Sequence, residues 1–164
     1  MKIHVLTTGG TIDKVYFDAR SEYAVGEPQV LEVFRLAGVG FAFTVESVLR
    51  KDSLELTEAD RRLIRERVEA CGADRVLVTH GTDTMVETAR VLAGIPGKVI
   101  VLTGSMQPAR FQGSDAAFNI GVAVGALQAL GPGVYVAMNG RLFDPERVRK
   151  NRDRNCFEPV EPGE

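Results

Sequence analysis

The chain has 164 residues, a length that fits one domain with a substantial hydrophobic core. Its 45% apolar and 26% charged residues exclude a disordered, collagen-like or coiled-coil chain. Because 20 basic residues are balanced by 22 acidic ones, the formal net charge is −2, and we expect no nucleic-acid partner.

Short apolar runs alternate with helical patterns along the chain. Five runs predict strands, at residues 2–6, 41–49, 75–78, 98–102 and 134–138. Three patterns predict helices, at residues 57–71, 85–93 and 115–130. This alternation predicts a single α/β domain over residues 1–164, with a doubly wound, mainly parallel sheet of the Rossmann or flavodoxin-like kind and helices on both faces. Such sheets bind ligands beyond the carboxyl ends of their strands.

The first predicted strand ends in the sequence TTGGTI at residues 7–12. This run lacks the spacing of a dinucleotide loop or a P-loop, so it does not predict nucleotide binding. It places the Thr11 hydroxyl beside Gly10, whose backbone a ligand can approach closely and whose N–H group can stabilise an oxyanion. The alternative is a tight turn in which Thr11 is an ordinary hydrogen-bonding residue.

Residues 13–28 show no clean periodicity and carry Tyr16, Phe17 and Tyr23 among charged residues. A loop of this length in a compact domain is typical of a functional lid or an insertion. We therefore interpret residues of about 13–28 as a mobile lid.

The third predicted strand leads into the sequence VTHGTDTMVE at residues 78–87. Thr84 and Glu87 have the spacing of a capping box, which predicts Thr84 as a helix N-cap. Thr82 and Asp83 are then left at the sheet edge, where a hydroxyl beside a carboxylate suits proton transfer or an amine ligand; the alternative for Asp83 is electrostatic support of the helix dipole. We interpret His80 as a packing or hydrogen-bonding residue and not as a base.

Two further strand ends carry similar residues. Asp52 and Ser53 follow the second strand, and Ser105 follows the fourth in the sequence TGSMQP at 103–108. Because four strand ends deliver small hydroxylated or acidic residues to one edge, we predict a site for a small polar ligand there.

From residue 116 to residue 140 the sequence contains no Asp, Glu, Lys or Arg. Gly131, Pro132 and Gly133 interrupt the stretch before the roughly 20 apolar residues of a membrane span accumulate. A helix that is apolar all round is instead typical of burial on two sides. We predict no membrane association and a homo-oligomer, with the uncharged 116–130 helix as its contact.

The sequence becomes basic from Arg141 onwards, and residues of about 157–164 resemble a polar tail. Lys150 lies in the basic run. A lysine in such a run is usually a solvated charge; the alternative is a partly buried lysine beside Asp83 that serves as a base.

Cysteines and histidines argue against a metal centre. Cys71 and Cys156 lie far apart without metal-ligand spacing, and His4 and His80 are the only histidines. We expect reduced thiols and no metal. The short apolar N-terminus is unlike a signal peptide, so we predict a cytoplasmic protein.

The motifs at 7–12 and 78–85 resemble the two signature motifs of the bacterial-type L-asparaginase/glutaminase family. The resemblance continues through 104–108, 115–119 and 136–139 and covers almost the whole chain. It implies hydrolysis of L-asparagine to L-aspartate and ammonia through a threonine nucleophile and an acyl-enzyme, without a cofactor.

The resemblance also assigns roles to individual residues. It implies that Thr11 is the nucleophile and that Tyr23 of the lid assists it, with Tyr16 as an alternative. It implies that Thr82 and Asp83 act with Lys150. The substrate-binding residues that we expect at this edge are Gly10, Asp52, Ser53, Thr82, Asp83 and Ser105, the last through its backbone.

The chain also departs from the pattern of the family. Family members are about twice as long, with a C-terminal domain that this chain lacks and that supplies an acidic residue to a neighbouring site; Glu22 is a candidate to replace that residue. We interpret the chain as a short-chain L-asparaginase, with a fragment as the alternative. Asp13 stands where a small residue is usual, and Arg149 and the run 152–154 replace small hydroxylated residues near Lys150, where their charge opposes that of the lysine.

Two other functions fit the same residues. One is a non-catalytic sensor that keeps the amino-acid pocket and binds asparagine or aspartate. The other is an amidase for a different amide, such as a misacylated tRNA, against which the net charge of −2 argues. We expect glutamine hydrolysis only as a side reaction.

Overall fold

The computed structural model describes residues 1–17 and 22–160. Its strands are β1 (Lys2–Gly9), β2 (Lys14–Phe17), β3 (Glu22–Val25), β4 (Ala42–Lys51), β5 (Arg75–Thr79), β6 (Val99–Thr103), β7 (Gly133–Met138), β8 (Arg141–Phe143), β9 (Val148–Asn151) and β10 (Cys156–Pro159). Its α-helices are α1 (Val30–Ala37), α2 (Glu58–Ala70), α3 (Met85–Val91) and α4 (Ala116–Ala129).

The central sheet has six strands in the order β4-β1-β5-β6-β7-β8. The first five strands are parallel to their neighbours, and only the edge strand β8 is antiparallel. The five parallel strands follow the flavodoxin-like order, so the chain moves outward in opposite directions from β1 and β5. The predicted doubly wound α/β fold is confirmed, and the crevice between the carboxyl ends of β1 and β5 is where a ligand is expected.

Helices cover both faces of the sheet because neighbouring strand residues point in opposite directions. In β5, Val78 belongs to the core that packs against α2 and α3, whereas Leu77 belongs to the core that packs against α1 and α4. Strand β6 is buried along its whole length, which explains its continuous apolar sequence.

Helix α1 is absent from the predicted elements. Its eight residues include Val30 and Phe34, which are buried against the sheet, but the run is too short to give a sustained helical period. The ends of α2, α3 and α4 lie within two residues of their predicted positions.

The segment predicted as an irregular lid contains a hairpin. Strands β2 and β3 pair in antiparallel fashion, and the Gly26 N–H donates to the Asp13 carbonyl at 2.7 Å to close its base. The prediction of an unstructured loop is therefore wrong for these strands. Residues 18–21 of the predicted lid lie outside the described part of the chain, and the predicted mobility of the lid remains a prediction.

The predicted polar tail does not begin at residue 157. Strand β10 pairs with β9, and Phe157 is buried beside Val148 in the core on the α2–α3 side. This hairpin holds Lys150, which lies on β9, against the sheet edge. Residues 161–164 lie outside the described residues.

Helix α4 presents an uncharged surface that includes Phe118, which is 63% exposed. Within residues 1–17 and 22–160, no helix combines the length and the hydrophobicity that a bilayer crossing requires.

Candidate active site

Two glycines bring the loops after β1 and β5 into direct contact. Gly10 has φ of +86°, and a Cβ atom there would lie 2.4 Å from the Gly81 nitrogen. Its own N–H donates to the Lys51 carbonyl at 2.9 Å. Only glycine tolerates this conformation and this approach, so the two loops meet at the crevice and carry Thr11 and Thr82 with them.

The loop after β4 joins the same contact through Ser53. A Cβ atom on Gly81 would lie 2.6 Å from the Ser53 side chain, and Ser53 is buried. The Thr84 hydroxyl donates to the Ser53 carbonyl at 2.8 Å. Thr84 occupies the N-cap position of α3, but its side chain makes no capping bond, so the predicted capping box is wrong. The hydroxyl instead ties two loops of the site together.

Lys150 meets Thr82 and Asp83 at the carboxyl edge of β5. Its amine donates to the Thr82 hydroxyl oxygen and to Asp83 Oδ1, both at 2.8 Å. The lysine side chain is only 13% exposed and that of Asp83 is 30% exposed. Lys150 is therefore not a solvated charge, and the three residues named from the sequence form one hydrogen-bonded cluster.

Asp83 has a second cationic neighbour. The Nε atom of Arg152 lies 3.5 Å from Asp83 Oδ1, the same oxygen that Lys150 contacts. Arg149, by contrast, pairs with Glu158 at 3.1 Å. The run of arginines thus adds positive charge at Asp83.

Thr11 begins a short 3₁₀ turn over Thr11–Asp13 and is half-buried. The following residue, Ile12, is completely buried and anchors the turn. Within the described residues, the Thr11 hydroxyl makes no hydrogen bond, so its lone pairs face the crevice side of the loop without a protein competitor.

Tyr23 lies on β3 and is 53% exposed. Its ring packs against Tyr16 at 5.3 Å and against Phe111 at 6.2 Å between centroids. No hydrogen bond joins Tyr23 or Tyr16 to Thr11 in the described part of the chain. Assistance of Thr11 by a lid tyrosine, and the choice between the two, remain predictions.

Asp52 is engaged by protein groups. Its carboxylate accepts from the Lys14 amine at 2.7 Å and from the Leu54 N–H at 3.1 Å. The Lys14 hydrogen bond, together with that of Leu54, lowers the pKa of Asp52 below its usual value. Because Lys14 is the first residue of the β2–β3 hairpin, this pair links the hairpin to the substrate-binding edge; a substrate contact of Asp52 remains a prediction.

The loop that carries Ser105 is held by two residues that sequence analysis did not single out for a role. The Asp115 carboxylate accepts from the Met106 N–H at 3.0 Å, and Asn119 Nδ2 donates to the Gly104 carbonyl at 3.0 Å. Ser105 itself is buried and its hydroxyl donates to the Gln107 carbonyl. Its backbone is thus the part available to a ligand. The match at 115–119 was the sequence signal for this support.

His80 is structural. Its Nδ1 lies 2.7 Å from the Gly81 carbonyl, which only accepts, and its Nε2 lies 2.8 Å from the Thr88 hydroxyl. The ring therefore donates from Nδ1 and accepts at Nε2 as neutral imidazole. Complete burial lowers its pKa to about 4, in agreement with the predicted hydrogen-bonding role.

Asp13 is a buried carboxyl group at the base of the hairpin, with 2% of its surface exposed. Its Oδ1 accepts from the Gln29 N–H at 2.8 Å, at the start of α1. Burial outweighs this hydrogen bond and raises the pKa of Asp13 to about 6.

These features define a doubly wound α/β domain whose site combines a free threonine hydroxyl with a hydrogen-bonded threonine, lysine and aspartate. The family model "Asparaginase, N-terminal" matches residues 2–163. The chain therefore belongs to the asparaginase family, and it corresponds to the N-terminal domain.

Individual relatives agree with this assignment. The chain is 33% identical over 171 residues to an L-asparaginase of Thermococcus kodakarensis, covering 98% of this chain and 51% of that protein. It is also 33% identical over 159 residues to a component of the glutamyl-tRNA(Gln) amidotransferase of Methanococcus vannielii, covering 87% and 35%.

Solved structures show the same relationship. The thermostable L-asparaginase of T. kodakarensis superposes with a TM-score of 0.86 at 30% identity, covering 98% of this chain and 51% of that one. A probable cytoplasmic L-asparaginase of Campylobacter jejuni gives 0.82 at 28% identity, covering 96% and 53%. The chain thus spans about half the length of the L-asparaginases it matches.

Proposed function

We propose that this chain hydrolyses the side-chain amide of L-asparagine to L-aspartate and ammonia, with Thr11 as the nucleophile. The observation that carries the proposal is the Lys150–Thr82–Asp83 cluster, joined to the Thr11 loop by the contact of Gly10 with Gly81. Family membership supports the same class of reaction.

The nucleophilic step needs a hydroxyl group without a competing partner. Thr11 Oγ1 adds to the amide carbonyl carbon, and its proton passes to a neighbouring base. The backbone N–H groups near Gly10 and Ser105 are the donors for the resulting oxyanion. The C–N bond then breaks, ammonia leaves with the transferred proton, and an acyl-Thr11 ester remains.

The second half of the reaction uses the Lys150 cluster. Water adds to the ester carbonyl, and Thr82 and Lys150 move its proton, since their hydrogen-bond distance of 2.8 Å lies within the range for proton transfer. The Asp83 carboxylate fixes the lysine and offers its remaining oxygen to the α-amino group of the substrate. The products are L-aspartate and regenerated Thr11.

A different amide substrate is the second candidate. The amidotransferase relative acts, by its name, on a tRNA-linked amino acid, and it is as similar in sequence as the asparaginase. Under this proposal the same residues release ammonia, but from another amide and together with a partner chain. A sensor without catalysis is the third, because it needs only the pocket.

Ammonia release by the purified chain tests these proposals. We expect release from L-asparagine by the wild-type protein and at least a hundredfold loss in Thr11→Ala, since a missing nucleophile removes the covalent route. Thr44→Ala is the matched control, because it removes one exposed hydroxyl near the other end of β4.

Each result selects one function. Asparagine binding by calorimetry without ammonia release, unchanged in Thr11→Ala, would favour the sensor. Release from glutamine but not from asparagine, or only with a partner chain added, would favour the other amidase.

A further inference from the structure

A cavity of about 210 Å³ lies beside Lys150, between α3 and the β9–β10 hairpin. We call it the Arg152 cavity. Its charged lining consists of four cationic residues and two carboxylates: Arg90, Arg149, Lys150, Arg152, Asp83 and Glu87. The lining therefore carries an excess of two positive charges on a protein whose net charge is −2.

The cations keep hydrogen-bond donors for a ligand. Arg152 approaches Asp83 only to 3.5 Å, which is longer than the usual 2.7–3.2 Å of an N–H···O bond, and its side chain is 68% exposed. Arg90 donates from Nε to the Pro145 carbonyl at 3.0 Å and lies 3.8 Å from Glu146, which does not line the cavity. Neither guanidinium is saturated by these contacts, because each has five N–H donors.

The negative groups at the cavity oppose this charge only in part. Asp83 is shared between Lys150 and Arg152. Glu87 is exposed and makes no ion pair within the described residues. Arg149 adds its charge at the rim while paired with Glu158. The strongest positive potential therefore lies between Arg152, Lys150 and Arg90.

We propose that the Arg152 cavity binds a phosphate group, as inorganic phosphate or as the phosphomonoester of a small metabolite. The surplus of two charges matches a phosphate dianion, and guanidinium forks bind phosphate oxygens in pairs. The volume equals that of about seven water molecules at ~30 Å³ each, enough for one phosphate group with part of its hydration.

Occupancy of this site acts on Lys150. A phosphate dianion in the cavity stabilises the ammonium form of the lysine and holds Arg152 away from Asp83. A step that needs neutral Lys150 then slows. This consequence rests on the proposed hydrolase function, whereas phosphate binding itself does not.

Calorimetric titration of the full chain with inorganic phosphate tests the site at constant ionic strength of about 0.15 M, where bulk screening is fixed. We expect one site, with affinity about tenfold lower in Arg152→Gln, as for loss of one charge-assisted contact. Arg152→Lys is expected to fall between. Arg62→Gln, which removes an exposed arginine that pairs with Glu58 on α2, is the matched control and leaves the affinity unchanged.

The source of the phosphate is decided by a parallel titration with glucose 6-phosphate. Tighter binding than inorganic phosphate assigns the site to a phosphomonoester, and weaker binding assigns it to the free ion. Absence of heat with both ligands, or equal affinities in all four proteins, overturns the proposal. Phosphate binding by a protein that releases no ammonia leaves the site standing and rejects the hydrolase.

Discussion

The amine of Lys150 lies 2.8 Å from the hydroxyl oxygen of Thr82, although 68 residues separate them in the chain. The contact exists because β9 pairs with β10 and β10 buries Phe157 against the sheet. A short hairpin of modest hydrophobicity thus supplies the only lysine of the Thr82–Asp83 cluster within the described residues.

Replacement of Lys150 separates its charge from its ability to transfer a proton. We expect Lys150→Met to lower ammonia release about a hundredfold or more, the size of a lost general acid–base contribution. Lys150→Arg keeps a cation beside Asp83, but a guanidinium does not give up its proton near neutral pH. Equal loss in both variants, measured as kcat for L-asparagine, supports proton transfer by Lys150.

Near-normal turnover in Lys150→Arg would contradict that role and leave only an electrostatic one. The thermal midpoints of both variants serve as the folding control. We expect small shifts, because Asp83 retains Arg152 as a partner.

The buried carboxyl group of Asp13 makes stability depend on pH. Its pKa is about 6 in the folded protein, against 3.8 for the free side chain, so its contribution is complete below pH 3.8 and is lost as the pH rises through 6. The full effect is about 3 kcal/mol. Asp13→Asn keeps an oxygen acceptor for Gln29 and removes the charge.

We therefore expect the stability of Asp13→Asn relative to wild type to increase by about 2 kcal/mol between pH 4 and pH 7. Urea denaturation at both pH values measures this difference. A constant difference across the range would show that Asp13 titrates normally in the folded protein.

His80 has the opposite dependence. Its folded-state pKa of about 4 lies below the ordinary 6.5, so its contribution to stability is present above pH 6.5 and is lost as the pH falls towards 4. Since Asp13 acts in the other direction over nearly the same window, the two effects oppose each other in the wild-type protein.

Proton NMR tests the His80 assignment directly, because His4 and His80 are the only histidine signals. We expect one imidazole signal that does not shift between pH 8 and pH 5, and we expect it to disappear in His80→Asn. That variant leaves the Thr88 hydroxyl buried without its acceptor, at a cost of about 1–3 kcal/mol at pH 8. Two signals that both titrate near pH 6.5 would contradict the buried neutral ring.

The sequence predicts the parts of this structure that depend on local patterns. Continuous apolar runs locate β5 and β6, and the residues just after the strands, such as Thr82 and Asp83, follow from the rule that ligands bind at carboxyl ends. The Thr84 hydroxyl and the Lys14–Asp52 pair are different, because tertiary partners decide them. A capping pattern is a local preference, and here the Ser53 carbonyl competes with it successfully.

Helix α4 carries the prediction of a homo-oligomer. Its surface is uncharged, and a Cβ atom at Gly125 would meet no atom within 4 Å, so a larger side chain fits there in the isolated chain. Gly125→Glu also replaces a glycine in a helix interior, which favours the folded monomer by about 0.5–1 kcal/mol. A charge at this position therefore harms the protein only if another copy covers the helix.

Light scattering after size-exclusion chromatography measures the outcome. We expect wild-type protein to have a multiple of the 17.8 kDa chain mass and Gly125→Glu to shift towards the monomer. Gly72→Glu, which is equally open but lies after α2 on the other face, is the control and keeps the wild-type mass. A monomeric wild-type protein would refute the prediction. An unchanged oligomer in Gly125→Glu would move the contact away from this face, because a buried carboxylate without a partner costs more than an interface of this kind tolerates.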